Sequence, residues 1–362
     1  MTPREASGLR RERASGGRVT LRELAAHLEL SPTTVSLVLN RSPRAESIPE
    51  QTQARIFAAA EELKYRPNHM ARSLRRRRSQ TVGVLVPEID EPYAAAVMSG
   101  LENYLVREGY FYLVASHRAH QDRVDTCLEL LESRSVEGMV LMATSLSHAP
   151  RLPTVVVSGH QTLPGVTNVV IDHERAARLA LEHLRQLEHR RIALVKGQTG
   201  SADTEERWEA VVAAAREFGV EIHDELVFQL VDDPTGGLTR TEKSYADGYR
   251  FGSELARSGR RFTALFAFND VSAIGATHAF LEAGLRVPQD VSVVGFDDIA
   301  SAAFLNPGLT TVRQPLQQMG ETASRLLLAR LADGGSAAET VTLAPELIVR
   351  ESTGPAADRL RR

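Results

Sequence analysis

Two spacings of apolar residues divide this chain. Between residues 20 and 63 the apolar positions recur every three or four residues: Leu21, Leu24, Ala25 and Leu28, then Val35, Val38 and Leu39, then Ile56, Ala59, Ala60 and Leu63. This period predicts three short amphipathic helices that share one small core. From Val82 the pattern changes to near-continuous apolar runs separated by amphipathic stretches. Strands are predicted at 82–87, 110–116, 138–143 and 154–159, with helices at 93–108 and 123–133. The series continues with helix 173–187, strand 191–197, helix 204–218, strand 226–231, helix 244–258, strand 264–269, helix 271–283 and strand 291–298. A return stretch, LTTVRQP (309–315), and a helix at 316–332 close it. Strands that are apolar throughout and alternate with helices imply parallel sheets covered on both faces, here in two successive units of similar size.

The first two helices have clear start signals. Thr20 and Glu23 stand at capping-box spacing, and Ser31 followed by Pro32 supplies an N-cap and a first-turn proline. Only Glu29 and Leu30 separate the helices, and the second begins with short polar side chains, Thr33, Thr34, Ser36 and Asn40. This is the pattern of a helix-turn-helix whose second helix enters a major groove, although an ordinary helical hairpin shares it. A polar loop, 41–47, leads to a third helix from Pro49 to about Leu63.

Charge sharpens the picture. The 362 residues carry a formal net charge of −3 with 43% hydrophobic and 25% charged residues, ordinary for a soluble protein. Residues 1–80, however, hold 16 Lys and Arg against 8 Asp and Glu, or +8, which leaves −11 for the remainder. A basic head on an acidic body suggests a polyanionic partner at one end. Residues 1–18 read as a mobile basic arm or simply an unstructured terminus. Residues 64–79, KYRPNHMARSLRRRRS, contain seven basic residues and no acidic one. They suit a solvated linker, or one or two helical turns from Asn68 to about Leu74 that need a partner to form.

Other chemistry is sparse. Cys127 is the single cysteine, so an internal disulfide and a thiolate zinc site are both excluded. HExxH, GxxxxGK[ST], GxSxG and GxGxxG do not occur. The N-terminus lacks an apolar signal region and no stretch is long enough to span a bilayer, so the expected setting is cytoplasmic and nucleoid-associated, without membrane contact.

TLRELAAHLELSPTTVSLVLN followed by AAAEELKYRPNHMARSL closely resembles the DNA-binding head of the lactose/galactose repressor family of bacterial transcription regulators. IDHERAARLALEHLRQLEHRRIALV, AFNDVSAIGATHAFLEAGLRVPQDVSVVGFDD and LTTVRQP resemble the core of that family, which has the fold of periplasmic sugar-binding proteins. The resemblance covers residues 19 to about 351. It implies an all-α helix-turn-helix head at 19–66, a hinge helix and linker at 67–80, and a two-lobed α/β core with parallel sheets at 81–351, followed by a tail at 352–362. The N-terminal lobe is expected at 81–171 with 309–335, and the C-terminal lobe at 172–308 with 338–351.

The resemblance also implies site residues. DNA contacts are expected from Thr20, Ser31, Pro32, Thr33, Thr34, Ser36, Leu37 and Asn40, from Tyr65, and from Asn68, Ala71, Arg72, Leu74 and Arg75 of the hinge. Leu74 would wedge between bases in the minor groove, as apolar side chains that kink a duplex do. Leu37 replaces a long polar or basic residue of many members, Pro32 replaces a base-contacting side chain of several, and the loop 41–50 is about three residues longer. A relative's operator therefore does not transfer. Effector contacts are expected from Tyr93, Ser158, Arg207, Trp208, Lys243, Phe268, Asn269 and Asp297, placed at carboxyl ends of strands or just beyond them, where ligands of open parallel sheets bind. Ser158 stands where many sugar-responsive members have Asp, and Lys243 falls near a position often aromatic. Both exchanges favour a more positive pocket and hence an anionic effector. No cofactor or metal is implied.

These readings describe a homodimeric repressor that binds a pseudo-palindromic operator under control of a small molecule, not an enzyme. The alternatives are a solute-binding transport protein, which would need a secretory signal and no head, and a DNA-binding metabolic enzyme, for which no nucleophile and base pair is identifiable.

Overall fold

The computed structural model describes residues 19–66, 78–118, 120–233, 237–334 and 339–357. The chain divides into two compact units that meet between Ser79 and Gln80.

The first unit holds α1 (Leu21–His27), α2 (Pro32–Leu39) and α3 (Glu50–Glu62). The capping box forms: the Thr20 N–H donates to Glu23 Oε2 at 2.6 Å and the Glu23 N–H to Thr20 Oγ1 at 3.3 Å. Ser31 Oγ accepts the Thr34 N–H at 3.0 Å and starts α2, with Pro32 in its first turn. The turn between them depends on Glu29, whose φ of 57° lies in the left-handed region. Leu24, Ala25, Leu28, Val35, Val38, Ile56 and Ala59 form the core, joined by Ala45 from a 3-10 turn (Pro43–Ser47) in the loop expected to be polar. Gln53 ties that turn to α3 by donating to Ala45 O and Ile48 O. Each large aliphatic side chain buried here contributes roughly 1.5–3 kcal/mol.

The second unit contains two six-stranded sheets. The N-lobe sheet has β1 (Thr81–Val86), β2 (Phe111–Ser116), β3 (Gly138–Met142), β4 (Thr154–Val157), β5 (Val166–Ile171) and β11 (Thr340–Leu343), in the order β11-β5-β4-β3-β1-β2. The C-lobe sheet has β6 (Ile192–Lys196), β7 (Val227–Gln229), β8 (Ala264–Phe266), β9 (Ser292–Asp297), β10 (Thr310–Arg313) and β12 (Glu346–Ile348), in the order β12-β10-β9-β8-β6-β7. All pairings are parallel except β10 with β12. The helices that cover them are α4 (Pro92–Arg107), α5 (Val124–Ser133), α6 (His173–Gln186), α7 (Thr204–Glu217), α8 (Arg240–Arg257), α9 (Asp270–Glu282) and α10 (Leu316–Asp333). The central strand β1 is buried on both sides, with Val82 and Val84 in one core cluster and Leu85 in another, whereas the edge strand β2 is partly exposed. α10 lies so close to α4 that a Cβ on Gly320 would stand 2.0 Å from Val97 O.

Several boundaries differ from the sequence reading. β5, β11 and β12 were not foreseen, and α8 starts four residues early, at Arg240, because Thr239 and Glu242 form a second capping box. The lobe assignment needs correction. β10 pairs with β9 and so belongs to the C-lobe, whereas β11 pairs with β5 and belongs to the N-lobe. The chain therefore crosses between lobes three times, after β5, β10 and β11. Nor is 352–356 a free tail. The Val293 N–H donates to Ser352 O at 2.8 Å, Ser352 Oγ donates to Val293 O at 2.6 Å, and the Ala356 N–H donates to Leu187 O at 2.8 Å. These residues are stitched to the C-lobe because β9 offers backbone groups that need partners.

Candidate functional site

In the head, the polar side chains at the start of α2 are positioned by their own caps. Ser31, Pro32 and Thr33 are exposed, and Thr34 is half-buried with its Oγ1 2.8 Å from Ser31 Oγ. Leu37 and Tyr65 are half-buried against the head's core. Thr20 is exposed at the start of α1. Ser36 departs from expectation: it is buried at 6% exposure, because the Asn40 amide folds back one turn to donate to Ser36 O at 2.7 Å and Ser36 Oγ at 3.1 Å. Its hydroxyl and the Asn40 amide thus satisfy each other within the helix. Asn68, Ala71, Arg72, Leu74 and Arg75 lie outside the described residues.

In the core, the carboxyl ends of the strands face a cleft between the lobes. From the N-lobe, Glu91 precedes α4 and Tyr93 lies in its first turn. The Tyr93 hydroxyl sits 2.6 Å from Ser158 Oγ, just past β4, where φ is 56°. Both are buried. Burial, and then the negative charge of Asp203, hold the Tyr93 hydroxyl well above its usual range.

From the C-lobe, Asp203 at the start of α7 gathers three partners. Its Oδ1 accepts from His160 Nε2 at 2.7 Å and His173 Nε2 at 3.3 Å, and its Oδ2 accepts from Arg207 at 3.1 Å. A carboxylate only accepts, so both rings present Nε2–H. Burial works to raise the Asp203 carboxyl, but His173, His160 and Arg207 outweigh it and hold it well below 3.8. Arg207 also donates to Phe268 O at 2.6 Å, and its guanidinium lies 4.2 Å and 3.8 Å from the Phe268 and Phe296 ring centres. Asn269 caps α9 by accepting the Ser272 N–H at 2.8 Å. Asp297 ends β9 at φ 108° and accepts from Gln314 Nε2 at 2.6 Å. Burial pushes its carboxyl well above the usual range.

A cavity of about 250 Å³ is lined by Glu91, Tyr93, Arg240, Thr241, Ser244, Asn269 and Asp297, among others. It brings together three of the expected residues, Tyr93, Asn269 and Asp297, and Ser158 touches it through Tyr93. Trp208 faces elsewhere. With Arg207 and Phe268 it lines a second cavity of about 290 Å³ in the C-lobe, and the Lys196 ammonium lies 4.9 Å from its ring centre.

Lys243 requires a correction. Its ammonium is held 2.5 Å from Asp247 Oδ1 one turn along α8, so its charge is neutralised locally. Arg240 is likewise engaged, through Asp232 at 3.2 Å, and its backbone N–H crosses between lobes to Glu88 Oε2 at 2.7 Å. Carboxyl groups outnumber free cations here, so the expected positive pocket does not form.

Sequence reasoning missed Glu91, His160, His173, Asp203, Arg240 and Thr241. Asp203 was within reach, since it stands one helical turn before Arg207. The others meet only through the fold. His160, His173 and Asp203 place potential metal-ligand atoms within 4.8 Å of one another. However, His173 and Asp203 begin two helices and Arg207 adjoins them, an electropositive setting that favours the carboxylate over an added cation. The cluster is better described as a hydrogen-bonded clasp joining His160 of the N-lobe to Asp203 of the C-lobe. Among buried polar side-chain atoms without a partner, Glu91 Oε2, His173 Nδ1, Arg207 Nε, Thr241 Oγ1 and Gln314 Oε1 all belong to this cleft or to residues bonded to it. Buried polar groups ordinarily find partners, so this concentration marks a place built to receive a polar ligand.

A head of the helix-turn-helix class and a two-lobed core with such a cleft define a ligand-responsive DNA-binding regulator. Residues 20–68 match the family of bacterial regulatory proteins called the lacI family, and residues 181–353 match the periplasmic binding protein-like domain. The chain is 30% identical over 341 residues to the HTH-type transcriptional repressor PurR of Aliivibrio salmonicida, covering 92% of this chain and 98% of that one. It is also 30% identical over 353 residues to PurR of Yersinia pestis, covering 94% and 99%. The chain belongs to the lacI family of transcriptional regulators. A Lac repressor dimer bound to operator and the anti-inducer ONPF has a TM-score of 0.81 to it at 24% identity, covering 93% of this chain and 100% of that one. A regulator CelR in complex with cellobiose has 28% identity and a TM-score of 0.66, covering 92% and 100%. Among the described residues no helix is long and apolar enough to cross a membrane.

Proposed function

We propose that this chain is a non-enzymatic, homodimeric repressor of the bacterial nucleoid, acting in the cytoplasm, whose grip on a pseudo-palindromic operator is set by a small polar effector in the interlobe cleft. The observation that carries this reading is the pairing, in one chain, of a helix-turn-helix head with a cleft where unpartnered buried polar atoms concentrate. The start of α2, with Ser31, Pro32 and Thr33 exposed and Thr34 and Leu37 half-buried beside them, would enter the major groove, and two heads on a twofold axis would read two half-sites. The basic segment after Tyr65 would follow the phosphates, with Leu74 as the minor-groove wedge. Edge strand β2 supports self-association, because Phe111 and Val114 on it are exposed at 65% and 40% and Val106 of α4 at 61%. Tyr93, Ser158, Arg207, Phe268, Asn269 and Asp297 remain the proposed effector residues. By linkage, an effector that changes operator affinity must itself bind more or less tightly, by the same factor, when DNA is present.

Genomic footprinting of the full-length protein with and without candidate metabolites tests this. A protected palindrome whose occupancy responds to one metabolite is expected, and binding to no preferred duplex under any condition would overturn the reading. Leu74→Ala should weaken specific binding far more than non-specific binding, because Arg72 and Arg75 keep their phosphate contacts. Equal losses on competitor and operator DNA would remove the wedge from the scheme.

A further inference from the structure

The cleft has more acceptors than donors. Glu91 Oε2 and Gln314 Oε1 are buried acceptors without a donor, Thr241 Oγ1 is a third oxygen without a partner, and Arg207 Nε is the one unpartnered donor of fixed type beside them. Gln314 is 3% exposed and its other amide atom is bonded to Asp297, which brings its free oxygen beside that carboxyl. Charge follows the same pattern. Arg207 is paired with Asp203 and stacked between two rings, Arg240 is paired with Asp232, and Lys243 with Asp247. Glu91 and Asp297 line the same cavity, and neither forms an ion pair among the described residues.

We propose that the effector carries a protonated amine among hydroxyl groups, with the ammonium seated between Glu91 and Asp297. This rests on the reading of the cleft as the effector site and names the chemistry that site selects. An ammonium offers three donors and one positive charge, matching both the surplus of acceptors and the unpaired carboxyls. Hydroxyls would meet Asn269, Thr241 and the Tyr93–Ser158 pair. An anionic effector would face these two carboxyls, and the cations that act on them, Arg207 and Arg240, are already paired with Asp203 and Asp232, so a uronate or sugar phosphate is disfavoured. Burial raises the Glu91 carboxyl above its usual range against the opposing charge of Arg240, with Glu88, Asp232 and Asp90 adding to the rise, and a bound ammonium would reverse that by stabilising the ionised form. Glu91 is then the residue that sets specificity, placed there by being the N-cap of α4 without a backbone amide to accept.

The test is calorimetric titration of the full-length protein with matched probes: D-glucosamine, D-glucose and D-glucuronate, with ethanolamine and putrescine as amines lacking the sugar ring and Zn²⁺ as a bare cation. At least one amine should bind about tenfold or more tightly than the neutral and acidic members. Glu91→Gln, which keeps the size of the side chain, should lower that affinity by a similar factor. A melting curve of the variant without ligand shows that it is folded, and Thr241→Val should reduce amine binding severalfold as an independent check. Tighter binding of glucuronate or glucose than of every amine, uptake of Zn²⁺ alone, no heat from any amine at millimolar concentration, or full amine affinity in Glu91→Gln would each overturn the proposal. If a neutral or acidic compound binds and shifts operator affinity, only this inference falls. Failure to bind any preferred duplex would instead remove the regulator reading.

Discussion

The head and the core solve the same problem, keeping polar groups satisfied, over different distances along the chain. In the head, Thr20 pairs with Glu23, Ser31 with Thr34 and Ser36 with Asn40, partners three or four residues apart. In the cleft, His160 reaches Asp203 across 43 residues, Arg207 reaches Phe268 across 61 and Glu88 reaches Arg240 across 152. The head can therefore assemble from local rules and present a nearly finished surface. The core brings its polar groups together only when both sheets are formed, and it leaves some of them without partners. A surface that reads DNA can be rigid and complete in isolation, whereas a site that responds to a small molecule must retain unmet hydrogen-bonding capacity.

The sharpest way to break this contrast is Asp203→Ala. Removing one carboxylate strands Arg207 and both imidazoles inside the core, and loss of one partner from a buried ion pair costs about 3–5 kcal/mol. Urea unfolding followed by tryptophan fluorescence should show the core transition shifted by that amount, since Trp208 is the single tryptophan and lies in the core. Unchanged core stability would show that the clasp contributes nothing.

A fall in pH should come next and act on the core alone. Burial pushes the imidazoles of His117 and His189 from 6.5 down to about 4. The unfolded chain takes up these protons near 6.5 and the folded chain only near 4. Their contribution is therefore complete above pH 6.5 and declines as pH falls from 6.5 to 4, by roughly 3 kcal/mol for each, while the buried Asp270 carboxyl, pushed up to about 7, works in the opposite direction over the same fall. His27, the only histidine within residues 19–66, is exposed, so the helical content of the head should change little over the same window. Thermal melts of the protein and of its His117→Gln and His189→Gln variants across that range would separate the histidines from the opposing buried carboxyls, and a head that loses structure in parallel with the core would weaken the comparison.

The smallest effect is expected from Ser31→Ala. Loss of the cap on α2 should cost about 1 kcal/mol, confined to the head. Hydrogen exchange should show faster opening at the start of α2 and unchanged protection in the two sheets. Equal loosening in both units would mean that they unfold together.

The same contrast explains what could be read in advance. Both caps of the head, its core residues and the switch to parallel sheets at Val82 were legible, because each rests on spacings of two to four residues. Ser36 was misread because one intrahelical bond from Asn40 turns a polar position inward. β10 and β11 were assigned to the wrong lobes because strand pairing is decided by partners far away in sequence. Lys243 was left one residue outside a helix that in fact starts at Arg240, and its charge was assigned to the pocket although Asp247, one helical turn on, takes it.

By itself, the sequence determined the three-helix head, the basic charge at one end, the succession of strands and helices, and a family resemblance strong enough to carry fold and function. These follow from local geometry and from motifs that occupy contiguous residues. Tertiary structure alone decided which carboxyls enter the cleft and which cations are left to meet them. Electrostatic pairing depends on distances through space, and the chain that brings Glu91 beside Asp297 is more than two hundred residues long.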